Sequence, residues 1–208
     1  MKAYSKIYSI LFFVVLIVST SLYAQDAQKT ISKIQKKYKS IKNLNADFYQ
    51  SMVDKNEETI FELSGKFYYA PGGKFKIDLQ DRLIISDGKS IWNVDNILER
   101  VIISNVDNKT NTFSLEKFIF EIPDECDAEL VENELNSTSI VFTPQGNLGF
   151  KNAKITVDKS LIINIAVITD LSGNTISFGL SNVKTNTTMS KDSFNYVAPK
   201  GIEIIDLR

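Results

Sequence analysis

The stretch LSGKFYYAPGGKFKIDLQDRLIISDGKSIWNVD, residues 63–95, decides how this chain folds. Phe67 and Tyr69, then Phe75, Ile77 and Leu79, alternate with polar residues such as Lys66, Lys74, Lys76 and Asp78. Successive side chains of a β-strand point to opposite faces, so a period of two with one apolar phase marks a half-buried strand. Pro71-Gly72-Gly73 separates two such runs, and Asp87-Gly88 separates the next two. Asp-Gly is the dipeptide of a two-residue type I′ hairpin, whose central residues both take positive φ. No helical period follows Gly88, so Asp87-Gly88-Lys89 does not open a phosphate-binding helix N-terminus. The segment reads as corners in a sheet.

Working outward, the same alternation holds for Leu44, Ala46, Phe48 and Met52, for Phe61 and Leu63, and for Ile176, Phe178 and Leu180. Further strands are predicted over 98–104, 128–134, 138–143, 150–158, 161–169, 174–184 and 202–207. Two segments break the pattern. Over 26–42, Ala27, Ile31, Ile34, Tyr38 and Ile41 recur at helical spacing with lysines on the opposite side, which predicts an amphipathic helix. A lysine-rich helix of this kind also has a membrane-surface reading, but its medium-sized apolar residues are expected to pack on a core. Residues 113–121, FSLEKFIFE, predict a short helix carrying Phe113, Phe118 and Phe120, stopped by Pro123.

The first 24 residues are expected to be a secretory signal peptide, because Lys2 and Lys6 precede an apolar run from Ile7 to Val18 and small or polar residues lead to Ala24. Cleavage there leaves residues 25–208 as a single domain with 22 basic residues against 25 acidic ones, a balance that speaks against nucleic acid as a partner. The lone Cys126 allows no internal disulfide, and Asp124, Glu125 and Asp127 around it disfavour the thiolate. Histidine is absent, which excludes histidine-dependent triads and most zinc sites.

About ten or eleven one-faced antiparallel strands with only two helices to cover them leave a great deal of apolar surface on one side. A curling or closing sheet solves this, and interior space grows with strand number. Such a sheet encloses a cavity unless the two helices plug it. A wholly filled core satisfies the same pattern, since apolar stripes report burial and not what buries them.

At the level of motifs the chain resembles the periplasmic outer-membrane lipoprotein carrier family, LolA, along nearly its whole length after the leader. The resemblance is carried by NLNADFYQ (43–50), LSGKFYYAPGGKFKID (63–78), ISDGKSIWNVD (85–95), VFTP (141–144) and FNYVAPKGIEIID (194–206). It implies mainly β structure with some α: an incomplete, unclosed antiparallel β-barrel covered by an N-terminal amphipathic helix and a short internal lid helix. It further implies a monomeric carrier, not an enzyme and without cofactors. Such a carrier takes lipoprotein acyl chains from an inner-membrane lipoprotein-releasing ABC transporter to an outer-membrane acceptor. The expected ligand-binding lining is Phe48, Phe61, Phe67, Phe75, Ile77, Trp92 and Phe178 from strands, with Phe113, Leu115, Phe118 and Ile119 from the lid. Two departures stand out. The arginine that closes the lid in the best-known members is replaced by Ala70, and a tryptophan two residues after Phe75 is replaced by Ile77. Two other readings remain open: a lipid- or lipoprotein-sensing module of the same fold, and an exported hydrolase using the carboxylates of 124–134, for which spacing identifies no acid and base pair.

Overall fold

The structure, a computed structural model, describes residues 26–106, 115–132, 137–190 and 192–208. The predicted leader and Phe113 lie outside the described residues. Helix α1 occupies 26–40, followed by strands β1 (Leu44–Val53), β2 (Thr59–Ala70), β3 (Lys74–Leu79), β4 (Arg82–Asp87), β5 (Ser90–Asp95) and β6 (Arg100–Asn105). A second helical segment spans 115–125. Then come β7 (Cys126–Glu132), β8 (Thr138–Pro144), β9 (Phe150–Val157), β10 (Ile163–Asp170), β11 (Thr175–Thr185) and β12 (Glu203–Asp206). These twelve strands form one sheet in the order β12-β6-β5-β4-β3-β2-β1-β11-β10-β9-β8-β7. Its two ends, β7 and β12, do not pair with each other, so the barrel stays open.

Ten or eleven antiparallel strands were expected; there are twelve, and one pairing is parallel, β12 beside β6. The reason is positional. β11 lies in the middle of the sheet and β6 toward one end, so the chain must cross the back of the sheet to reach β6. A crossover of this length delivers a parallel strand as readily as an antiparallel one. On the way it covers the back of β4–β6, where Tyr196, Ala198 and Ile202 pack on Val94, Val101 and Ile103.

The front, concave face carries the main core. Residues paired across antiparallel strands share a face, and the register Ala46–Phe67–Ile77–Ile84 runs across four strands on this side. α1 lies over this face with Ile31, Ile34, Tyr38 and Ile41 at most 3 % exposed. The Tyr38 hydroxyl accepts a hydrogen bond from the backbone N–H of Ile163 at 3.0 Å, which ties the helix to β10. Burial pushes the Tyr38 phenol well above its ordinary pKa, so it remains neutral.

Both corners of the opening stretch form, but the second is not a type I′ turn. Gly88 has φ +91° while Asp87 is absent from the positive-φ residues, and the Asp87 Oδ1 accepts from the amides of Lys89 and Ser90 at 2.8 Å. The side chain thus builds an Asx turn in place of the mirror-image turn. The two corners are stacked, and a Cβ on Gly88 would lie 2.1 Å from the Gly72 carbonyl oxygen. Gly88→Ala is therefore expected to be costly. The left-handed φ alone costs roughly 1–2 kcal/mol for a side chain, before the clash with Gly72. Thermal unfolding should show the midpoint lowered by at least about 5 °C; an unchanged midpoint would mean that the corners separate freely.

Candidate functional site: an apolar interior under a helical cover

Together with α1, the second helical segment lies between the concave face and the outside. It runs from 115 to 125 and changes character along its length, a π-helical turn at Lys117–Glu121 leading into an α-helical turn at Ile122–Glu125. Pro123 does not stop it as expected. The α-helical turn begins at Ile122, which puts Pro123 in a first turn, where its missing N–H has no helical partner to lose. A π-helical turn is a rare, poorly packed helical form that recurs at functional positions.

Leu115, Phe118 and Ile119 of this segment point into the sheet and are at most 3 % exposed. They meet Phe48, Phe67, Phe75, Ile77 and Phe178 in one continuous apolar cluster, so eight of the eleven predicted lining residues come together. Phe118 and Phe178 stack edge to face, with centroids 6.4 Å apart. Phe61 is opposite Met52 on the concave face but half-buried beyond the cluster. Trp92 is misplaced in the sequence reading. It pairs with Ile103 and joins the cluster on the back of the sheet, because its neighbour Ile91 is the one that shares a face with Ser86 and Phe75.

Sequence reasoning missed the opposite wall, where Ile140 and Phe142 of β8 and Ile155 of β9 are at most 2 % exposed and complete the interior. Their alternation was visible, but strand patterns carry no record of which strands face each other across a barrel. Beside Ile31, Ile34, Phe118, Ile119, Pro123, Phe142 and Ile155 the helices and the sheet pack without room for a water molecule. Among the described residues, the two helices fill this part of the interior where a cavity was expected.

Polar contacts also tie this segment to its surroundings. One of its acids, Glu116, reaches the Pro71-Gly72-Gly73 corner: Oε1 accepts from the Gly72 amide and the Tyr69 hydroxyl, and Oε2 from the Gly73 amide, each at 3.0 Å. Burial, reinforced by the negative charge of Glu116, drives the Tyr69 phenol far above its usual pKa and keeps it a donor. Gln35 of α1 donates from Nε2 to the Ile119 carbonyl at 3.0 Å, and the Lys39 ammonium lies 5.7 Å from the centre of the Phe120 ring. Ala70, where the resemblance calls for an arginine, offers no polar group. The cover is anchored instead from its own side, by a carboxylate on sheet amides. Glu116 was legible only as a polar position between phenylalanines; the amide cradle that it fills is made by a turn 43 residues away.

Cys126, at the end of the segment, is buried. Burial chiefly, and Glu125 and Asp127 secondarily, push its thiol up, which agrees with the unreactive cysteine expected from the sequence.

Among the described residues, the structure is thus an open sheet whose apolar face is covered by two helices, the second of them tied to the sheet by Glu116. Comparison with known proteins places it further. Residues 39–197 match the model of the family "Outer membrane lipoprotein carrier protein LolA", and the chain belongs to that family. The outer-membrane lipoprotein carrier protein of Haemophilus ducreyi is 24 % identical over 198 residues, covering 93 % of each chain. That of Nitrosomonas europaea is 26 % identical over 178 residues, covering 77 % of this chain and 81 % of its own. Among solved structures, an uncharacterized conserved protein from Thermus thermophilus shares the fold. It has a TM-score of 0.57 at 17 % identity and covers 87 % of this chain and 99 % of that one.

Proposed function

We propose that this protein is an exported periplasmic carrier. After removal of residues 1–24 it would take the acyl chains of lipoproteins from an inner-membrane ABC transporter, shelter them in the interior and yield them to an outer-membrane acceptor. The observation that carries the reading is that Leu115, Phe118 and Ile119 of a short helical segment fill the interior of the open sheet; in this reading they are the apolar stand-in that cargo displaces. Each buried methylene favours protein over water by about 0.8 kcal/mol, so acyl chains cannot cross an aqueous space unaided. If cargo displaces the plug, apolar burial is exchanged for apolar burial and the net affinity is held down. Release to an acceptor then needs no bond making. Family membership and relatives named as lipoprotein carriers support the same conclusion.

The test is chemical. Protein recovered from cells should carry lipid or lipoprotein detectable by mass spectrometry, and added protein should draw a lipoprotein off membrane vesicles in the presence of the energised transporter. Consistent recovery of empty protein that also leaves the lipoprotein in the vesicles would overturn the assignment.

A further inference from the structure

Past Asp26 at its start, α1 and the two residues after it carry charge of one sign only. Lys29, Lys33, Lys36, Lys39 and Lys42 are exposed and Lys37 is half-buried, while no acidic residue occurs between Ala27 and Asp47. With these six lysines and Asp26 set aside, the chain after residue 24 holds 16 basic residues against 24 acidic ones. An otherwise acidic protein thus concentrates six of its basic residues on residues 29–42.

Helix stability accounts for part of this only. Lys37, Lys39 and Lys42 lie at the C-terminal end of the helix, where the dipole favours cations, but Lys29 lies in the first turn, where the dipole disfavours one. The pairs Lys29–Lys33 and Lys33–Lys37, four residues apart, repel, and a solvated helix face ordinarily interleaves both signs. The ion pairs among the described residues lie elsewhere in the molecule and use none of these lysines. The apolar side of α1 is fully engaged with the sheet, so nothing greasy remains to insert into a bilayer or to seat in a protein groove.

We infer that α1 is a docking surface for an anionic membrane, binding lipid headgroups by charge alone. Three features favour a lipid surface over an acidic protein. All six cations are lysines, hydrated point charges without the fork geometry with which arginine pairs specific carboxylates. Protein interfaces are depleted in lysine and enriched in aromatic residues and arginine, and this face exposes neither. The charge is spread along the helix and around a broad arc of it, which suits a plane of mobile headgroups. Docked this way, the protein would bring its cover to the membrane, since Gln35 and Lys39 of the same helix touch Ile119 and Phe120. The inference does not depend on the carrier reading and is tested without cargo.

Empty processed protein is floated with phosphatidylcholine vesicles, with or without about one third phosphatidylglycerol, at low and high salt. Binding is expected only to the anionic vesicles and should be lost at high salt. Replacing Lys29, Lys33, Lys36 and Lys42 together by glutamine should weaken it at least about tenfold, and replacing the same four by arginine should preserve it. Lys37 and Lys39 are left in place, as they are half-buried or packed on Phe120. Should the glutamine variant fail to fold, the salt dependence and lipid preference of the unaltered protein decide. Equal binding to neutral vesicles, no binding to anionic ones, or binding only to vesicles holding a protein partner would each overturn the inference.

Discussion

Phe118→Ala is expected to destabilise the protein by about 3–5 kcal/mol and at the same time to make its interior receptive to small apolar molecules. Phe118 is 2 % exposed, touches Phe178 and lies beside Ile31, Ile34, Phe142 and Ile155. Deleting its ring leaves a void with apolar walls, and such voids stay dry and accept apolar guests. The measurement is a thermal melt with and without saturating benzene or a short-chain hydrocarbon. The variant alone should melt about 10 °C below the parent, and the guest should raise the midpoint of the variant while leaving the parent unmoved. A variant whose midpoint ignores the guest would mean that the walls have collapsed, and that the plug is a fixed part of the core.

Glu116→Ala is expected to free the cover without unfolding the sheet. Three hydrogen bonds to one carboxylate disappear, and the partly buried Tyr69 hydroxyl and Gly73 amide lose their acceptor. Hydrogen bonds to charged groups contribute about 1.5–3 kcal/mol apiece at most, and coupled ones do not add. A loss of about 2–4 kcal/mol in closure is a reasonable expectation, equivalent to roughly 30- to 1000-fold more frequent opening. Hydrogen exchange should detect it as faster exchange confined to 115–125, with the amides of β1, β2 and β11 unaffected. Uptake of a fluorescent acyl probe should accelerate in parallel. Glu116→Gln, which keeps one acceptor oxygen and loses the charge, should fall between. Unchanged exchange in the cover would show that apolar packing alone holds it shut.

The two predictions separate the forces on the same segment. Phe118 reports what the cover gains by filling the interior, and Glu116 reports what keeps it from leaving. If both hold, the position of the segment is a balance between apolar packing and a polar clasp.

The motifs from Asn43 onward pointed to the family; alternation by itself determined most of the strands and, in β1 to β3 and β11, which phase is apolar, because the period of two is a local property of the backbone. It also determined that α1 packs by Ile31, Ile34 and Tyr38 and leaves its lysines outside. What alternation cannot carry is the relation between distant strands. In β5 both phases are apolar, and only the chain crossing behind it, with Tyr196 and Ile202, assigns Trp92 to the back and Ile91 to the front. The parallel pairing of β12, the wall of Ile140 and Phe142, and the seat of Glu116 on the Gly72–Gly73 amides were likewise settled by tertiary contact. Each depends on groups far apart in the chain meeting in space, where steric fit and hydrogen-bond satisfaction choose among arrangements that local propensity leaves equal.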